Sequence, residues 1–265
     1  MATAPQDPGL PLFYKGLVPL NSRDHGTWKS TTTDQAHWLI GQHCVPLTVE
    51  EFPQAQRHYP IVFSSGDDAV PLALMGLNET VNVFVDDEGR LREDVYVPAY
   101  VRRYPYMLAR LTQDATDLTL CFDPSSGLIG EFEEGTALFD GEQPSEACKT
   151  TLSFCENFEQ AGQMTQAFME ELKKHNLLMD GEVGIQLDGE ASPADPFVYR
   201  GFRMIDQTKL KDVRGDVLRT WNQNGMLPLI YAHLFSLDQI RAVFGRQVMQ
   251  GKGPIPSPVP APVPA

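Results

Sequence analysis

Two adjacent guanidiniums, Arg102 and Arg103, are followed at once by Tyr104 and preceded by Tyr100, within the run VYVPAYVRRYPYMLARL. Arginine presents a planar fork of donors that matches carboxylate or phosphate in a bidentate way, and tyrosine adds a hydroxyl on an aromatic body. Arg102, Arg103, Tyr104 and Tyr100 are therefore the first candidates for a recognition patch. The alternative is that the arginines pair with the chain's own Asp and Glu residues. A second group is the histidines. His25, His37, His43 and His58 fall in the first sixty residues, and imidazoles that converge can hold a metal. His37 and His43 are six apart and would share a face of one strand if Gly41 made no bulge. No ligand spacing recurs among the four, so packed or surface histidines are the competing reading.

Other chemistries lack their residues. The sequence contains no G-x-G-x-x-G, G-x-x-x-x-G-K-[ST], H-E-x-x-H or G-x-S-x-G pattern, so no nucleotide loop, zinc-protease helix or nucleophile elbow is indicated. No cofactor is assigned. The acidic turn Asp86-Asp87-Glu88-Gly89 lacks the alternating ligands and distal Glu of a calcium loop and reads as a hairpin tip. Cys44, Cys121, Cys148 and Cys155 form no C-x-x-C pair, which favours reduced thiols.

The whole chain narrows the partner. Its 265 residues are 42% apolar and 21% charged, an ordinary globular composition with a net charge of −14. That charge argues against nucleic acid and against docking on an anionic membrane. No apolar stretch reaches bilayer-spanning length; 226–237 is too short and carries His233. No secretory signal is visible, so a cytoplasmic location is expected.

These residues need elements to place them. Proline near each end of 10–21 suggests an edge strand leading to a turn at Asn21-Ser22. Residues 37–45 read as a strand, broken or bulged at Gly41. Thr48 and Glu51 have capping-box spacing for a turn or two of helix ending before Pro60. IVF (61–63), 69–77 and VNVFV (81–85) read as a meander, and LTLCF (118–122) as a further strand. Helical spacing of Cys148, Leu152, Cys155, Phe158, Phe168 and Leu172 predicts a long helix from Ser145, with Gly162 a weak point, and puts Cys148 and Cys155 on one buried face. FVYRGFRMI (197–205) alternates as a strand after a polar connection over 180–196 that has room for a short strand at 183–187. Asp206 caps a short helix, 216–224 forms another, and 226–246 is helical with a restart at Ser236. The expected fold is α+β: a mostly antiparallel sheet from the N-terminal half, packed by helices from the C-terminal half. Residues 1–10 read as a loose N-terminus, 11–250 as one domain or two lobes meeting near 140, and 251–265 as a proline-rich tail. Pro254, Pro256, Pro258, Pro260, Pro262 and Pro264 alternate and favour polyproline II, either a spacer or a strap along a partner's groove.

PLFYKGLVPLNSRDHG, VPLTVEEFPQAQRHYPIVF, VYVPAYVRRYPYMLA, LFDGEQPSEACKTTLSFCENF and GMLPLIYAHLFSL, in that order, resemble blocks of the SapC family of bacterial proteins over about residues 11–245. The resemblance implies association with a surface layer and supplies no catalytic residues. Together with the missing catalytic motifs, it leads us to expect a non-enzymatic, protein-binding component of a bacterial surface or envelope-associated assembly, with other subunits as partners and a homo-oligomer left open. The alternative is a small-molecule- or metal-binding accessory protein, or an enzyme, using the histidines or the Arg/Tyr cluster.

Overall fold

A computed structural model describes residues 9–112, 117–185 and 197–253. Its centre is a five-stranded antiparallel sheet in the order Leu178–Ile185, Phe197–Ile205, Ile61–Phe63, Pro71–Leu74, Cys44–Pro46. Ile61, Val62 and Phe63 are all buried. This is why IVF is an unbroken apolar run: both sides of the strand are covered. The helix Met226–Ser236 lies against this strand and its neighbour Phe197–Ile205. Buried polar side chains register the layers. His233 donates from Nδ1 to the Ile61 carbonyl (2.8 Å) and accepts the Ile205 N–H at Nε2 (3.1 Å), while the Ser236 hydroxyl accepts the Ile61 N–H (2.8 Å). Ser236 ends its helix, and the chain resumes as Gln239–Met249.

The helix Glu146–Lys174, capped by the Ser145 hydroxyl, runs unbroken through Gly162. Its buried stripe of Cys148, Cys155, Ala161, Thr165, Phe168, Met169 and Leu172 keeps the helical period. Cys148 and Cys155 share one cluster with Leu108 and Leu120. Thr165 ties the helix inward, its Oγ1 accepting the Val49 N–H at 2.9 Å. Around this core sit a three-stranded sheet of Val18–Pro19, Thr119–Phe122 and Tyr106–Ala109, and a smaller one of Ile129–Gly130, Lys29–Ser30 and Thr136–Ala137. The fold is α+β, with antiparallel sheets built chiefly from the N-terminal half and helices from the C-terminal half.

Three local expectations change. The strand over 10–21 contracts to Val18–Pro19, and Asn21 caps a helix, Ser22–His25, by accepting the Asp24 N–H (2.9 Å). Over residues 37–45 the break at Gly41 (φ +78°) forms, but only Cys44–Pro46 is a strand and the first part is a 3-10 turn, His37–Leu39. VNVFV forms no strand, because buried Asn82 occupies the backbone locally: it bonds the Leu39 carbonyl (3.2 Å) and the Phe84 N–H (2.8 Å). The Val81 carbonyl also presses on Gly76, where a Cβ would sit 1.9 Å from it. The proline series 254–264 lies outside the described residues.

Candidate functional site

The Arg/Tyr cluster is a short helix, Ala99–Arg103, opened by Pro98 and closed by a cis Tyr104–Pro105 bond. Proline at 105 cannot continue the helix and holds Tyr104 extended. Two buried carboxylates fix the two ends. Glu51, the partner in the Thr48 capping box, accepts from the Thr48 N–H (2.8 Å) and hydroxyl (3.0 Å) with one oxygen; the other takes the Ala99 N–H (2.6 Å) and the Tyr96 hydroxyl (3.1 Å). Asp123 accepts from the Lys15 N–H (2.8 Å), the Ser125 N–H (2.8 Å) and the Tyr104 hydroxyl (3.3 Å). Burial first, then Asp123, pushes the Tyr104 phenol up to about 12, so it stays a donor.

The two arginines part company. Arg103 is 5% exposed and pairs with Glu159 at 3.5 Å. Its guanidinium lies 4.2 Å from the Phe158 ring centre, 4.9 Å from Tyr100 and 5.9 Å from Tyr14, a packed cation among aromatic faces. Tyr100 belongs to that packed side, its hydroxyl donating to the Leu12 carbonyl at 2.9 Å. Arg102 is exposed. It donates to the Val97 carbonyl (3.1 Å) and the Tyr96 hydroxyl (3.3 Å) and rests 5.3 Å from the Phe154 ring centre. Among the described residues it has no carboxylate within ion-pair distance.

Arg102, Arg103 and Tyr104 all wall one cavity of about 640 Å³, together with Trp38 and Phe154. Trp38 leans on Tyr104 with ring centres 4.7 Å apart. Trp38 Nε1 and Arg103 Nε are both buried without a hydrogen-bond partner. Leaving such a donor unmatched costs about 1–3 kcal/mol; both residues wall the cavity, but the Arg103 guanidinium itself is packed among Tyr14, Tyr100 and Phe158. A third unmatched atom, Arg246 Nη1, lies elsewhere, with its guanidinium over Phe84 at 4.7 Å. Trp38 carries no signal of this role in the sequence, since it reaches Tyr104 across sixty-six positions through the 37–39 turn. Glu51 shows in the sequence only the spacing of a cap.

The four histidines do not come together. His25 is buried, its ring edge against Trp28 (4.6 Å) and Phe122 (5.3 Å) and its Nδ1 accepting the Asn21 N–H. His37 is exposed and meets Gln35 at 3.1 Å. His43 contacts Cys44 (3.5 Å), and burial lowers its pKa. His58 leans on Tyr59. The turn at 37–39 and the break at Gly41 remove the shared strand that would have aligned His37 with His43. Among the described residues no group of three or more His, Cys, Asp or Glu side chains is placed to hold a metal. In the acidic turn, Asp86 accepts the Glu88 and Arg90 N–H groups (3.0 and 2.8 Å), which makes its carboxylate part of the hairpin.

A second surface stands apart from the cavity. The outer face of Met226–Ser236 carries Tyr231 and Phe235, 43% and 68% exposed, stacked with ring centres 5.8 Å apart. Beside them is a groove of about 210 Å³ lined by Leu210, Leu218, Leu227, Tyr231 and Leu234, with Gln207 and Lys211 on its wall. Among the described residues no helix is long and apolar enough to cross a membrane.

A family model described as SapC matches residues 20–243, spanning the cavity, its supporting carboxylates and the Tyr231/Phe235 face. No curated protein and no solved structure matches the chain.

Proposed function

The chain belongs to the SapC family, and from that premise we propose that it is a non-enzymatic, protein-binding component of a bacterial surface or envelope-associated assembly. The observation that carries this reading is the stacked Tyr231/Phe235 pair, beside a mainly leucine-lined groove on a helix whose opposite side is already committed to the sheet. Aromatic side chains of this kind dominate the energetics of protein interfaces, and covering one fully is worth about 1.5–3 kcal/mol. The net charge of −14 opposes an anionic lipid surface or nucleic acid as the occupant. A polypeptide with an apolar contact surface meets no such opposition.

The test is native mass spectrometry of untagged protein from its own cells, beside the double variant Tyr231→Ala/Phe235→Asp. Both positions are exposed, so the variant should keep its thermal midpoint to within about 0.5 kcal/mol of stability. A stoichiometric polypeptide adduct on the parent that disappears from the variant is the expected result. An adduct that persists on the variant, or its absence from the parent, sinks this assignment. The alternative reading, an accessory protein for a small molecule, is favoured by the unmatched Trp38 indole N–H and the exposed Arg102 at one cavity.

A further inference from the structure

We propose that the cavity walled by Trp38, Arg102, Arg103 and Tyr104 binds a small monocarboxylate with an aromatic or aliphatic body. Two features of the site converge on an acceptor. Trp38 walls the cavity, and its Nε1 is buried and lacks a protein partner, so an acceptor brought against it by a small shift of the indole would satisfy it. Arg102 uses two of its N–H groups on Val97 and Tyr96 and meets no carboxylate among the described residues, in a chain whose acidic residues outnumber its basic ones by 35 to 21. An arginine left unpaired amid such an excess has a fixed positive charge and spare donors available to an anion.

The rest of the wall defines the body of the ligand. Leu91, Val97, Val101, Leu128 and Phe154 offer apolar contact, and about 640 Å³ is in the range of sites that enclose a small organic molecule. The wall also includes Asp34, whose side chain is 83% exposed. Its charge disfavours a dianion such as a phosphate monoester more than a monoanion. A carboxylate brings one charge and two oxygens, enough to engage the arginine fork and the indole N–H together.

The experiment is a titration of the ¹⁵N-labelled full chain with 3-phenylpropionate, following the indole N–H signals of Trp28, Trp38 and Trp221. The Trp38 signal is identified by its loss in Trp38→Phe. Saturable movement of that signal, with the other two unmoved, is the expected result. Calorimetry should then show binding weakened about tenfold in Trp38→Phe and in Arg102→Gln, the loss of one charge-assisted hydrogen bond. The uncharged 3-phenylpropionamide should bind at least about tenfold more weakly for the same reason. Trp38→Phe also trims packing against Tyr104, so some loss of thermal midpoint is expected, and its affinity is compared with the parent at a temperature where circular dichroism shows both folded. Arg102 is exposed, so Arg102→Gln folds whatever the fate of the first variant. A Trp38 signal unmoved up to about 10 mM acid, equal binding of the amide, or unaltered affinity in both variants overturns the proposal. Tighter binding of phenyl phosphate overturns the monocarboxylate assignment in favour of a dianion. Binding confined to a peptide with a free C-terminal carboxylate overturns the small-molecule assignment in favour of a partner chain.

Discussion

Glu51 accepts four hydrogen bonds in a site where it is 5% exposed, and replacing it by Gln tests whether this carboxylate positions the Arg/Tyr helix. The amide keeps one acceptor oxygen and turns an NH₂ group toward donors that formerly met the other. The Tyr96 and Thr48 hydroxyls can rotate away, but the N–H of either Ala99 or Thr48 cannot, and one of them is left buried and unmatched. That orphan costs about 1–3 kcal/mol, and the surviving bonds weaken from charge-assisted to neutral, about 1 kcal/mol more. Relief of the buried charge offsets part of this, so Glu51→Gln should lose about 2–3 kcal/mol. Guanidinium denaturation read by circular dichroism gives the value, provided the slope with denaturant is unchanged. The neighbouring exposed Glu50→Gln is the control and should stay within about 0.5 kcal/mol of the parent. A loss under about 1 kcal/mol for Glu51→Gln, with native dichroism, would refute the four-bond arrangement.

Burial pulls the His233 imidazole from its ordinary 6.5 down to about 4, so between those values the unfolded chain takes a proton that the folded chain refuses. Its contribution is therefore complete above about pH 6.5 and falls by about 3 kcal/mol as the pH drops to 4; parallel denaturation series of the parent and His233→Gln should diverge over that window, and parallel curves would contradict it. Gly76→Ala should lose at least about 2 kcal/mol in the same denaturation assay, because the added Cβ meets backbone at Val81. Gly162→Ala, with nothing within 4 Å of the added methyl in mid-helix, should instead gain about 0.5–1 kcal/mol. A Gly76→Ala variant as stable as the parent would show the close approach at Gly76 to be wrong, and a Gly162→Ala variant that loses stability would show the same of the open space at Gly162.

What the sequence made legible was local. Ser145 and Asp206 cap their helices, the capping box at 48–51 forms, and the strand Phe197–Ile205 has its expected bounds, because each depends on residues within one or two turns. VNVFV misled for a physical reason. Alternation at Val81, Val83 and Val85 satisfies a strand pattern, but the intervening Asn82 faces inward and serves two backbone groups. The same limit applies to the site. The Arg102-Arg103-Tyr104 run marked the cavity, but nothing near it in sequence foretold that Trp38 would reach its wall, or that the cap residue Glu51 would hold Ala99. The arginines also could not be told apart by type: burial among Tyr14, Tyr100 and Phe158 makes Arg103 a packing residue, whereas Arg102 stays outside.

The order of strands in the central sheet also sets a timetable for synthesis. Ile61–Phe63 emerges early and finds Pro71–Leu74 at once, but its other neighbour, Phe197–Ile205, comes more than 130 positions later. Until then one edge of that apolar strand lacks its native partner, and the helix bearing His233 and Ser236 is still to come. Such non-local closure slows folding and prolongs the exposure of an adhesive edge. The first half of this chain thus depends on its last quarter to become inert toward its neighbours on the ribosome.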